Sequence, residues 1–459
     1  MAEKTIAAIS TATGEAGIGI VRMSGEESFD IAKKIFRKPN KQTVKDFQNR
    51  KLNYGYIFDN NENMIDEVLL AFMKGPHTYT REDIVEIYCH GGHIAVKKIL
   101  DLLLKNGAYM ADRGEFTKRA FLNGRLDLSQ AEAVIDLIDA KTDKAYEASL
   151  LQLKGSVASK VKEIKTKMLD LMARVEFSIN FMEDYEDDLP LDPLYEKSEN
   201  ILKDLNELIN SSNQGRILKD GIKTAIIGKP NVGKSSLLNA LLKENRAIVT
   251  DVAGTTRDTI EESLNLGGVS INIIDTAGIR DTDDLVESIG VEKSIQIANS
   301  ADLVIAIFDM SRLLDNEDEK ILELLNNKKS IILLNKQDLE IKADKKLIEN
   351  NFGNSTIIDM SIIEEKGIKE LEDSILDMFF DGEIKVDNTV LITNIRHRDL
   401  LVKARDNIIS AVNDVKKGIP LDAVEIDFRN AFSQMGEITG ETIEEDILDK
   451  IFKDFCIGK

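Results

Sequence analysis

Cysteine is almost missing from this chain: its 459 residues carry two, Cys89 and Cys456. Two thiols imply no disulfide framework, and their scarcity fits a reducing cytosol. No leader is expected either, since Met1-Ala2-Glu3-Lys4-Thr5 puts charges where a secretory signal needs an apolar core. No uncharged apolar run is long enough to cross a bilayer. The expectation is a cytoplasmic protein with no membrane attachment. Positive charge is also in deficit, with 81 Asp and Glu against 60 Lys and Arg and a formal net charge of −21. That balance argues against a broad, nonspecific grip on nucleic acid, so an RNA substrate would need local basic patches or a basic partner. There is no internal repeat and no low-complexity tract. The length predicts two to four domains, with ample chain to build their cores.

What the chain does have is a set of short words at the ends of apolar runs. Gly228-Lys229-Pro230-Asn231-Val232-Gly233-Lys234-Ser235 follows Thr224-Ala225-Ile226-Ile227 and precedes the helical run Ser236 to Leu242. This is the phosphate-loop pattern GxxxxGK(S/T) in its strand–loop–helix setting. Glycines let the backbone wrap a phosphate chain, and the free N–H groups of the helix start face the anion. Lys234 neutralises β- and γ-phosphates, and the Ser235 hydroxyl suits Mg²⁺. Asp275-Thr276-Ala277-Gly278 follows Ile271 to Ile274, and Asn335-Lys336-Gln337-Asp338 follows Ile331 to Leu334. A carboxylate such as Asp338 can accept guanine N1–H and N2–H together, which adenine cannot supply. Three such words in this order predict GTP rather than ATP. A further guanine contact is expected near Ser361, where the chain reads Ser361-Ile362-Ile363 in place of the Ser-Ala-Lys of many such GTPases.

Between the first two words lies Thr250-Asp251-Val252-Ala253-Gly254-Thr255-Thr256-Arg257-Asp258. It reads either as a switch loop whose Thr hydroxyl completes a Mg²⁺ shell or as a polar surface loop. Ile279 stands where Ras-like enzymes place a water-orienting Gln. An isoleucine cannot orient water, so catalysis must draw on another group, with Arg257, Arg280, Asp283, Asp284 and Glu287 as candidates.

These words place an α/β GTPase unit at 216–380. Before it, Val157, Val161, Ile164, Met168, Leu171 and Val175 recur at spacings of four and three, one apolar stripe along a long helix. After it, Leu401, Ala404, Ile408, Val412 and Val415 form another. Helical segments on both sides predict a GTPase inserted into a helical domain. Residues 1–118 read as α+β, with strand-like Ala7 to Ser10, Gly17 to Arg22 and Asp83 to Ile87 between Gly-rich turns. At the other end, Thr442 and Glu445 form a capping-box pattern for a helix over 443–452.

Along essentially its whole length the chain resembles the bacterial MnmE (TrmE) family of tRNA modification GTPases, of the TrmE-Era-EngA-like group. The most specific words are Gly17-Ile18-Gly19-Ile20-Val21-Arg22, His90-Gly91-Gly92, Gly114-Glu115-Phe116-Thr117, Arg119-Ala120-Phe121-Leu122-Asn123-Gly124 and the closing Phe455-Cys456-Ile457-Gly458-Lys459. The resemblance implies a multidomain α/β and α fold. An N-terminal α+β folate-binding and dimerisation domain spans 1–118. A discontinuous helical domain spans 119–215 and 381–459, with the P-loop GTPase domain at 216–380. It implies GTP hydrolysis stimulated by K⁺ and by meeting of two GTPase domains across a homodimer.

Carried over by motif, the GTP set is Asn231, Val232, Gly233, Lys234, Ser235, Ser236, Thr250, Asp251, Val252, Ala253, Gly254, Thr255, Thr256, Asp275, Thr276, Ala277, Gly278, Asn335, Lys336, Asp338, Ser361, Ile362 and Ile363. The resemblance pairs Ser235 with Thr256 at Mg²⁺. It gives K⁺ to Asn231, Thr250, Val252 and Thr255, where a cation can stabilise charge developing on the phosphates. Glu287 helps to position the attacking water.

The resemblance also implies a 5-formyl- or methylene-tetrahydrofolate, met by Arg22, Glu86, Arg125 and Lys459. A carboxylate suits a pterin edge and cations suit a glutamyl tail. Arg125 stands where some members carry Lys, which retains the charge and changes the geometry. These four side chains also read as ordinary surface ion pairs. Cys456 is either a small buried hydrophobe or a group acting in chemistry at the folate site.

The function so implied is addition, with an FAD-dependent MnmG (GidA)-like partner that carries the FAD, of a carboxymethylaminomethyl or aminomethyl group to C5 of the wobble uridine of certain tRNAs. Two alternatives stay open: a ribosome-assembly GTPase switch, and a dimerising signalling scaffold that hydrolysis only resets.

Overall fold

The computed structural model describes residues 4–12, 14–40, 42–44, 48–181, 192–245, 262–274, 298–326, 328–352, 355–380, 382 and 390–459. They divide into two compact units, Met1–Ile135 with Leu153–Asp170 and Phe428–Lys459, and Asp136–Gln152 with Leu171–Asp427.

The first unit is built on a seven-stranded sheet of order β3-β4-β5-β6-β2-β1-β7. Its strands are β1 (Ile6–Ile9), β2 (Gly19–Ser24), β3 (Phe36–Arg37), β4 (Leu52–Phe58), β5 (Met64–Met73), β6 (Ile84–Cys89) and β7 (Tyr109–Met110). All pairings are antiparallel except β1 with β7. Side chains alternate faces along a strand. Val21, Met23, Val85, Ile87, Leu70 and Phe72 therefore point to one side, where they form a core with α1 (Ser28–Ile35) and α2 (His93–Lys105). The intervening residues point to the other side. There Ala8 pairs with Arg22, Arg22 with Glu86, and Glu86 with Ala71. Phe116 of α3 (Glu115–Leu122) packs on that side against Ile6, Ala8 and Tyr79.

The second unit holds a six-stranded sheet of order β13-β12-β11-β8-β10-β9. Its strands are β8 (Ile222–Ile227), β9 (Glu262–Leu266), β10 (Val269–Ile273), β11 (Leu303–Asp309), β12 (Ser330–Asn335) and β13 (Thr356–Asp359). Only the edge strand β9 is antiparallel to its neighbour. Every residue of β11 and β12 is buried, as a parallel sheet covered on both faces requires. Ile305, Ile307, Ile331 and Leu333 enter one core, and Val304, Ala306, Ile332 and Leu334 the other. Each of the Ile, Leu and Val side chains contributes about 1.5–3 kcal/mol on full burial.

The chain segments on either side of this sheet come back together. The Gly215 Cα lies so close to Ile392 that an added Cβ would stand 2.3 Å from its carbonyl oxygen. Lys219 pairs with buried Asp136 at 2.8 Å, and the Thr393 hydroxyl bonds Asp136 and Gln152 at 3.3 and 3.0 Å. The stripe from Val157 to Val175 lies on the helix Ser156–Phe181, and all six residues are buried.

Two expectations need correction. In the helix Ile395–Lys416 the buried position is Ala411 and not Val412, which is half-buried. The turn continues as Leu401, Ala404, Ile408, Ala411, Val415, and the smaller side chain faces inward. The last helix runs Glu445–Lys453 from Glu444, with no side-chain cap. The Thr442 hydroxyl instead donates to the Ser433 carbonyl at 3.1 Å. Packing of Leu448, Phe452 and Phe455 against Leu128 and Ala131 anchors the tail in place of a capping box.

Candidate functional site

The nucleotide words converge at the carboxyl ends of β8 and β12 and just beyond β13, where ligands of open α/β sheets bind. The loop after β8 ends at Gly233, and α4 (Lys234–Asn245) starts there. Gly233 has φ +115, and an added Cβ would stand 2.5 Å from the Asn335 amide nitrogen. Only glycine suits that backbone and that gap. Asn335, buried at the end of β12, donates from Nδ2 to the Val232 carbonyl at 2.8 Å and accepts from the Ile362 N–H at 3.3 Å. One side chain thus ties the phosphate loop, the β12 end and the β13 loop together.

Lys234 folds back into the loop, and Nζ donates to the carbonyls of Gly228 and Lys229 at 2.7 Å each. Burial holds its ammonium below the ordinary lysine range. A polyphosphate beside it would act against that shift, because an opposite charge nearby favours ionisation. Half-buried Gly233 precedes Lys234 and half-buried Ser235 follows it in the first turn of α4, with Asn231 and Ser236 exposed. Asn231 takes φ 60, a left-handed backbone. The buried Ser361 hydroxyl donates to Asp338 Oδ1 at 2.7 Å and orients that exposed carboxylate. Lys336 lies in ion-pair contact with Asp309 at 2.6 Å. Burial raises the Asp309 carboxyl, but Lys336 and Ser311 together hold it below the usual range. Ile363 is 83% exposed.

Thr250, Asp251, Val252, Ala253, Gly254, Thr255, Thr256, Asp275, Thr276, Ala277, Gly278 and Glu287 lie outside the described residues, as do Arg257, Ile279, Arg280, Asp283 and Asp284. Two contacts escaped the sequence reading. Lys229 is pinned by Asp315 at 2.6 Å and Glu317 at 2.8 Å, which raise its pKa. Asp315 also caps the helix Asn316–Leu324 in a capping box with Asp318, and Lys229 pulls its carboxyl down to about 2. The Asp-x-x-Asp spacing could have signalled the cap, but not the tie to the phosphate loop.

In the first unit the four residues of the second constellation share one neighbourhood. Arg22 and Glu86 are cross-strand partners, with Nη2 to Oε1 at 2.8 Å. Tyr88 donates to the other Glu86 oxygen at 2.6 Å. Arg22 and Arg125 both face the Tyr79 ring, at 5.8 and 4.6 Å from its centroid, and cations favour such a position. The α3 words hold this loop. Thr117 meets the Tyr79 hydroxyl at 2.9 Å, Asn123 donates to Thr80 O at 2.7 Å, and buried Arg119 pairs with Glu82 and Glu115. Lys459 completes the set. Burial, then the Arg22 charge, hold its amine below the lysine range, against the pull of Cys456 and Glu86.

The tail is held by its backbone. Ser10 donates to the Gly458 carbonyl at 3.1 Å, and Gly114 N donates to the Cys456 carbonyl at 3.3 Å. Cys456 is exposed and not a core hydrophobe, whereas Cys89 is buried, with its thiol pushed up to about 11 by burial and by Asp66. Gly458 has φ +89, and a Cβ there would stand 2.2 Å from the Ile9 carbonyl oxygen. Gly458→Ala is therefore expected to displace Lys459 from the Arg22–Glu86 pair and to lower the melting temperature by about 2–4 °C, which scanning calorimetry checks.

Family models match nearly the whole chain. Residues 5–125 match the family model described as the GTP-binding protein TrmE N-terminus, and 128–456 match the MnmE helical domain. The chain is 58% identical to the tRNA modification GTPase MnmE of Finegoldia magna over 99% of both chains. It is 52% identical to that of Alkaliphilus oremlandii and 50% identical to that of Clostridioides difficile, in each case over 100% of this chain and 99% of the relative.

Proposed function

Because this chain belongs to the MnmE (TrmE) family, we propose that it is a GTP-hydrolysing enzyme of tRNA modification. It would install, with an FAD-dependent MnmG-like partner, an aminomethyl or carboxymethylaminomethyl group at C5 of the wobble uridine. The observation that carries the GTPase half is Asn335, whose amide joins the phosphate loop to the guanine-reading loops. Lys234 neutralises phosphate charge, Asp338 reads guanine, and Glu287 positions water. The domain reading is 1–118 for folate and dimerisation, 119–215 and 381–459 for the helical domain, and 216–380 for the GTPase. The return of Ile392 to Gly215 supports it.

Ser235 at the start of α4 fits a Mg²⁺ ligand, with Thr256 as its partner. Asn231 fits K⁺, with Thr250, Val252 and Thr255. When bound, the cations would stabilise charge that develops on the phosphates. The Arg22–Glu86 pair, Arg125 and Lys459 fit a reduced folate, because one carboxylate among three cations matches a pterin edge and an anionic tail. When bound, that folate supplies the one-carbon unit. The exposed Cys456 thiol stands in electrostatic reach of Lys459. A homodimer and a cytoplasmic site of action complete the reading. No helix among the described residues is long and apolar enough to cross a membrane.

Hydrolysis by the purified chain in KCl against NaCl tests the enzyme half. Turnover should be at least about tenfold faster in K⁺, consistent with one added cation at the phosphates. Equal rates in the two salts would remove the K⁺ assignment, and no hydrolysis in either would remove the GTPase.

A further inference from the structure

The first unit contains a cavity of about 740 Å³ that opens beside the Arg22–Glu86 cluster, with Tyr79, Tyr88 and Arg125 common to both. Its lining brings Arg50, Lys51, Arg81 and Arg125 together without a single carboxylate. In a chain of net charge −21 such a surface is unusual, and a local positive field of this kind selects anions. Arg50 and Arg81 both hold left-handed backbones, with φ 60 and 64, a conformation that glycine or asparagine takes more readily. Each guanidinium is also fixed, Arg50 on the His77 carbonyl and Arg81 on the Asn123 carbonyl at 2.8 Å. Planar cations held in this way are preorganised for carboxylates.

We propose that this cavity binds the poly-γ-glutamyl tail of the reduced folate, with the pterin end at Glu86 and successive tail carboxylates on Arg125, Arg81, Arg50 and Lys51. The proposal rests on the folate reading of the adjoining cluster and adds a preference for chain length to it. Each γ-glutamyl unit adds one carboxylate, so a lining of four cations matches a tail of several units better than a single one. A cavity closed on one side by the sheet residues Leu52, Ala71 and Tyr88 suits a thin, flexible chain.

The test is calorimetric titration of the full chain with mono-, tri- and pentaglutamyl 5-formyltetrahydrofolate. The triglutamyl form should bind at least about tenfold tighter than the monoglutamyl form, and the advantage should shrink as salt rises. Lys51→Glu, an exposed change that leaves the fold intact, should remove most of that advantage and leave monoglutamyl affinity unchanged. Arg50→Ala should do the same. Equal affinity for all three ligands in the unaltered protein overturns the tail site and leaves the folate reading standing. Binding of none of them overturns both. A length preference that survives both variants overturns this location. An anticodon stem-loop RNA whose binding Lys51→Glu abolishes, with no length preference for folate, gives the cavity to RNA and also overturns the proposal.

Discussion

Asp338→Asn is expected to raise the KM for GTP by about 100-fold or more and to make xanthosine triphosphate the better substrate. The reason lies in donors and acceptors. Guanine offers N1–H and N2–H to a carboxylate, and a site built for those groups discriminates strongly because a mismatch leaves a polar partner unpaired. Asn keeps one carbonyl oxygen but sets an amide N–H₂ against the guanine N2–H₂. Xanthine carries a carbonyl at that position, which accepts from the new amide. The Ser361 hydroxyl fixes Asp338 Oδ1 at 2.7 Å, so the exchanged group stays in place and the switch should be clean. Steady-state kinetics with both nucleotides measures it. An unchanged GTP KM would show that Asp338 does not read the base.

Lys234→Ala carries the second large effect, a loss of kcat/KM for GTP of about 10²–10³-fold, the scale seen when one charge-stabilising donor is removed. Its ammonium is largely withdrawn from water, with two loop carbonyls as its partners. In that position the lysine couples to phosphate in a drier medium than bulk water, which strengthens the interaction. The fold does not depend on it, since the surrounding core is formed by β8, β11 and β12 side chains. The variant should therefore melt within about 5 °C of the unaltered protein, and hydrolysis should fail without loss of structure. Retained turnover would remove the lysine from the mechanism.

The GTPase half was legible because its signals are local. A buried parallel strand is a continuous apolar run, and a loop that wraps phosphate needs glycine where φ is positive and a neighbour crowds the backbone. Thus β8, β12 and the loop through Gly233 could be read residue by residue. The stripe from Val157 to Val175 was legible for the same reason, since periodicity is a property of the segment alone. Val412 and Ala411 show its limit: spacing leaves a choice of two adjacent positions, and the neighbouring packing decides. Thr442 shows another, because its hydroxyl found the Ser433 carbonyl nine residues back, a bond between segments that no local pattern encodes.

The second constellation was out of reach of periodicity altogether. Arg22 and Glu86 are 64 residues apart, and register alone makes them neighbours. Residue words shared with a family pointed to Arg22, Glu86, Arg125 and Lys459, but not to Tyr79, which lies between two of the cations. Nor did they point to Arg50 and Arg81, which only a left-handed backbone and a shared cavity single out.

Mass spectrometry of nucleosides from total tRNA of cells lacking the protein shows whether this GTPase serves tRNA modification. The C5-modified wobble uridines should disappear, return with the unaltered chain, and stay absent with Lys234→Ala. An unchanged nucleoside profile in cells without the protein would contradict the claim and transfer the weight to a GTPase switch in ribosome assembly.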